Sequence, residues 1–127
     1  MTIIEALTVV AKRRPDLFKM EKVFSTCYVF SFVEDAYDVE QFFIGPDEVG
    51  LSQDLLDRIA NRIGWWIEVG RLKPNFTDNS FVDKKYWAFY AESYPLSVSS
   101  GYIYTTKIDA ASEAFIALIQ KQYAGEY

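Results

Sequence analysis

The chain has 127 residues, half of them hydrophobic and 17% aromatic, with a net charge of −5 and no histidine. That length predicts a single domain over residues 1–127, able to bury a core without a metal or disulfide staple, and the composition excludes a disordered chain. The acidic balance argues against direct nucleic-acid binding, which needs Lys and Arg against phosphates, and the missing histidine removes the commonest general base and zinc ligand.

The N-terminal stretch "MTIIEALTVVAKRRPDLF" predicts a helix. Thr2 and Glu5 fit the S/T-x-x-E capping pattern, and Ile3, Ile4, Leu7, Val10 and Ala11 form one apolar stripe. Lys12, Arg13 and Arg14 suit the negative end of the helix dipole, with an anion patch as the functional alternative. Pro15 discourages continuation. The apolar residues are spaced and interrupted by Glu5, unlike a signal peptide, and no run approaches the ~20 apolar residues of a membrane helix. A cytoplasmic, membrane-free protein is expected.

Residues 23–33, "VFSTCYVFSFV", read as a strand with Phe24, Thr26, Tyr28, Phe30 and Phe32 on one face. Cys27, the one cysteine, reads as a small buried hydrophobe. Residues 39–44 return as a second strand, which Gly45-Pro46-Asp47 ends. Ser52 caps a helix on which Leu55, Leu56, Ile59, Ile63 and Trp66 share a face, with Trp65 at its edge, Gly64 as a point that loosens it and Gly70 as the expected end. Residues 71–85 read as an irregular stretch, 86–91 as a third strand and 102–105 as a fourth. The last helix runs from about Lys107 to Gln122, capped by Thr106 and Asp109, with Ile108, Ala111, Phe115, Leu118 and Ile119 inward. The order α-β-β-α-β-β-α predicts an α+β domain: an antiparallel sheet of about four strands with three helices packed against it.

No nucleotide-loop, zinc or nucleophile motif occurs, and the paired carboxylates sit at turns, where solvation explains them. A non-enzymatic protein with no cofactor and no metal is expected. The segment from Arg62 to Phe76 stands out. Arg62, Arg71, Lys73 and Asn75 can hold an anion, and Trp65, Trp66 or Phe76 can stack on a base. Arg62, Trp65, Arg71, Lys73, Asn75 and Phe76 are therefore the candidate ligand-binding residues; a helix end with cations and an aromatic anchor is the structural alternative. The aromatic surplus, including Phe24, Tyr28, Phe30, Phe32, Phe42, Trp65, Trp87 and Phe89, exceeds what one small core hides and predicts a homo-oligomer.

"YTTKIDAA", residues 104–111, resembles the Y-T-x-x-[IL]-D-A-A signature of small tailed-phage accessory proteins of the phage ABA-sandwich kind. A helix ending near a hydrophobic-Gly-Trp step precedes that signature in those proteins, and "LLDRIANRIGWW", residues 55–66, is similar. The N-terminal helix and hairpin lie outside the resemblance. It implies a phage origin and no catalytic residue. Three functions then compete. One is an anti-defence protein that sequesters a nucleotide-type host immune signal. Another is an anti-CRISPR-like inhibitor of a host defence protein, its acidic surface covering a basic channel. The third is a structural accessory protein of the phage particle.

Overall fold

The structure, a computed structural model, describes residues 1–33, 41–71, 86–124 and 126. Helix α1 spans Ile3–Arg13, α2 Gln53–Ile63 and α3 Lys107–Tyr123. Each begins on a hydroxyl cap. Thr2, Ser52 and Thr106 accept hydrogen bonds from the backbone N–H of Glu5, Leu55 and Asp109 at 3.1, 3.1 and 3.2 Å. Each bond satisfies one of the donors that a helix start leaves open.

Two three-stranded antiparallel sheets replace the single sheet of about four strands expected from the sequence. Sheet A contains β1 (Phe18–Phe24), β2 (Cys27–Phe32) and β3 (Gln41–Ile44); sheet B contains β4 (Trp66–Gly70), β5 (Ala88–Ser93) and β6 (Leu96–Ser99). The order is α-β-β-β-α-β-β-β-α. Three differences from the sequence reading account for this. The run 23–33 is not one strand, because Ser25 and Thr26 form a tight turn between β1 and β2. The second helix stops at Ile63, not Gly70. Gly64 takes the left-handed conformation (φ 76, ψ 23) that favours glycine, so the "WIEV" alternation after it becomes β4. The fourth strand is Leu96–Ser99; at 102–105 only Tyr104 pairs, in an isolated bridge with Trp87.

Helix α3 packs on β4, β5 and β6 and also touches α1 and α2, and α1 in turn covers β1. Ala110, Ala111 and Ala114 are fully buried, and their short side chains let α3 approach sheet B closely. Phe115, Leu118 and Ile119 are fully buried beside them. In sheet A, Phe18 pairs with Phe32 and Phe30 with Phe42 in the strand register, which places their rings on the inner face. Phe18, Phe30 and Phe32 form a triangle with centroids 5.5–5.7 Å apart. From α2, Arg58 lies over Phe32 and Phe42 and Arg62 over Phe32, so cation–π contacts link α2 to sheet A.

Candidate functional site

Of the Arg-aromatic constellation expected from the sequence, the described members Arg62, Trp65 and Arg71 each face a different ring of the protein. The Arg62 guanidinium lies 4.9 Å from the centre of the Phe32 ring, within the protein's own packing. Trp65 is 6% exposed and its ring sits 5.0 Å from Phe115, so its face is not open to a ligand. The turn at Gly64 explains this. It returns the Trp65 N–H to the Ala60 carbonyl at 2.8 Å and turns the indole inward, leaving Trp66 to open β4 at 58% exposure. The expected roles of the two tryptophans are thus exchanged. Arg71 does find a ring, but it is Trp87, at 4.6 Å. Lys73, Asn75 and Phe76 lie outside the described residues.

A different set of side chains forms a groove. About 600 Å³ of open space runs between the C-terminal half of α1 and the inner face of sheet A. Phe18, Met20 and Ala11 make its apolar floor. The Thr8 hydroxyl on its wall is already engaged: it donates to the Ile4 carbonyl at 2.8 Å and lies 3.4 Å from the Met20 sulfur. Lys12 and Pro15 bound it on the helix side. Lys22 and Tyr28, directly opposite each other in the β1–β2 register, bound it on the sheet side. Lys19, which alternation places on the opposite face of β1, also borders the groove, and its ammonium pairs with Glu21 at 3.5 Å. Among the described residues, Lys12 and Lys22 have no carboxylate partner and no carboxylate lines the groove.

The basic trio that ends α1 is therefore three residues with three occupations. Arg13 stacks on the Tyr123 ring at 4.7 Å. Arg14 makes a two-pronged contact with Asp16, at 3.1 and 3.0 Å, which raises the Arg14 pKa and holds Asp16 below the usual carboxylate range. Only Lys12 turns to the groove. Sequence reasoning missed Lys22 and Tyr28. The signal that finds them is the turn at Ser25-Thr26, which folds β1 onto β2 and brings the two side chains to one face.

Two ammonium groups over an apolar floor would suit an anion that carries a flat or apolar body. Lys12 and Lys22 would neutralise phosphate or carboxylate oxygens. The Tyr28 ring and the Met20 thioether offer an adaptable surface for the body. The groove volume lies within the roughly 300–1,000 Å³ usual for small-molecule sites. No known protein family, characterised protein or solved structure matches the chain.

Proposed function

We propose that this protein is a non-enzymatic binding protein that captures a small anionic ligand of the nucleotide class in the groove between α1 and sheet A. The observation that carries this reading is the pair of lysines without carboxylate partners, Lys12 and Lys22, facing an apolar floor in a protein of net charge −5. In such a molecule a cation-lined groove with no carboxylate among its described lining residues is a place where an anion loses little to repulsion. The resemblance at residues 104–111 extends the reading: the ligand would be a nucleotide-type immune signal of the host, and the protein a phage anti-defence factor that holds it in the host cytoplasm.

One observation favours the protein-inhibitor alternative. Trp66, Glu68, Tyr90 and Glu92 share the outer face of sheet B, an acidic and aromatic surface suited to a basic partner protein.

Calorimetry of linear and cyclic nucleotides against wild type, Lys12→Glu, Lys22→Glu and Arg71→Ala separates these readings. Each charge reversal in the groove should weaken binding by about tenfold or more, because a charge-assisted contact becomes a repulsion. Arg71→Ala should bind as wild type does. Loss confined to Arg71→Ala would move the site to Arg71 and Trp87. Absence of nucleotide binding by the wild type would remove the proposal and leave the inhibitor reading.

A further inference from the structure

Resting on the nucleotide reading of the lysine groove, we infer that the free edge of β1 recognises the base. The outward main-chain groups of Met20 and Lys22 hydrogen-bond it while the lysines hold the phosphate. β1 is an edge strand, because the strand order of sheet A is β1-β2-β3. Lys19, Met20 and Lys22 all border the groove. Met20 and Lys22 belong to the inner face of β1 and Lys19 to the outer one, so the groove reaches round the open edge of the strand.

The hydrogen-bond register fixes which groups of that edge are open. The Val33 N–H donates to the Leu17 carbonyl at 2.8 Å, one step beyond the Phe18–Phe32 pair. Bonded and non-bonded pairs alternate in an antiparallel ladder. Lys19 and Glu21 therefore direct their N–H and C=O to β2, opposite Ser31 and Val29. Phe18, Met20 and Lys22 turn theirs away from β2. The Phe18 N–H agrees with this phase, since it donates outside the ladder, to the Arg14 carbonyl at 3.0 Å. Among the described residues no protein group bonds the outward N–H or C=O of Met20 or Lys22.

The open stretch is too short to take another strand. At one end the Phe18 N–H is occupied, and at the other the β1–β2 register shifts between Lys22 and Phe24. Such an irregularity, with lysines along the edge, discourages strand addition. What remains is two donors and two acceptors from two residues.

A nucleobase matches that remainder. It carries a donor beside an acceptor on its Watson–Crick edge, which proteins read by hydrogen bonding. The Met20 carbonyl and the Lys22 N–H lie on one side of the strand, two residues apart, and offer the complementary acceptor and donor. The ammonium groups of Lys22 and of Lys12 across the groove remain for the phosphate. Main-chain recognition also fits the scarcity of polar side chains. Apart from the lysines, the polar groups in the described lining are the Tyr28 phenol and the Thr8 hydroxyl, which is already bonded to Ile4.

The test is titration of the full chain with the four ribonucleoside 5′-monophosphates, with ribose 5-phosphate as the base-free control, by calorimetry and amide NMR. At least one nucleotide should bind about tenfold or more tighter than ribose 5-phosphate. With that nucleotide the amide signals of Met20 and Lys22 should move, and those of Lys19 and Glu21, turned to β2, should move less. Lys22→Pro and Lys22→Ala lose the same ammonium, but only the proline also loses the outward N–H. Proline is tolerated on an edge where its missing N–H faces out, so both variants should fold. Lys22→Pro should bind about tenfold more weakly than Lys22→Ala. Ribose 5-phosphate binding as tightly as every nucleotide would overturn base recognition and leave anion capture by the lysines standing. So would nucleotide binding that leaves the Met20 and Lys22 amides unmoved, or equal affinity in two folded Lys22 variants. No binding of any of the five compounds would overturn both readings.

Discussion

Trp65 and Trp66 are neighbours in sequence with opposite surroundings, 6% and 58% exposed. Truncating Trp65 leaves a void against Phe115, so Trp65→Ala should cost about 3–5 kcal/mol. Trp66→Ala should stay within about 0.5 kcal/mol, as surface changes do. Chemical denaturation of both variants checks the contrast. Tyr104 offers a second residue-level test. Burial, and then the Glu113 carboxylate, raise its phenol above the ordinary value of 10.0. The folded state therefore holds this proton more tightly than the unfolded state. The resulting stability is complete below the ordinary value and is lost as pH rises through the folded value. Tyr104→Phe should flatten that part of the alkaline stability profile. An unchanged slope in denaturation midpoints against pH would show that the phenol carries no such linkage.

At the scale of the element, the caps and the left-handed glycine set where helices start and stop. Thr106→Ala should lower stability by about 1 kcal/mol without changing ligand affinity per folded molecule. Gly64 has open space where a side-chain carbon would go, so Gly64→Ala should cost only backbone strain, roughly 1–2 kcal/mol. Thermal melts of the two variants measure both effects. These same residues explain how much of the fold could be read in advance. Helix starts were legible because capping is local: Thr2, Ser52 and Thr106 each announce themselves within four residues. The end of α2 was not, because apolar periodicity runs on through Trp65 and Trp66, while one positive φ at Gly64 resets the phase. The strand "LSVS" at 96–99 carries too weak an alternation to outweigh the Pro, Ser and Gly around it. Of the candidate site, Lys12 was visible as part of a basic cluster. Lys22 and Tyr28 were not, because their juxtaposition depends on a two-residue turn without glycine, proline or asparagine.

For the whole molecule, the expected surplus of aromatic rings shrinks once the core is seen. Phe30, Phe32, Trp65 and Phe89 are buried, and of the eight rings counted from the sequence only Phe24 is more than half exposed. Phe43, at 55% exposure, lies opposite Val29 on the outer face of sheet A. The charges on that face, Lys19 and Glu21, pair with each other at 3.5 Å. A locally neutral, partly apolar face on an acidic protein is where a second copy meets least repulsion. We expect a dimer through this face at micromolar concentration, and Phe43→Ser to return it to monomer in light scattering. A wild type that scatters as monomer throughout would remove the expectation.

The position of α3 in the chain has a consequence for synthesis. Among the described residues all six strands and both other helices precede it, yet it fills the centre of the core and touches sheet B, α1 and α2. During translation the earlier described elements emerge before the helix that packs on the inner side of sheet B, and that side stays without this cover until residues 107–123 leave the ribosome. Completion of the fold therefore waits for α3 to emerge. Nascent chains stalled before residue 107 should be digested readily by added protease, and those extended by a linker long enough to expose α3 should resist it.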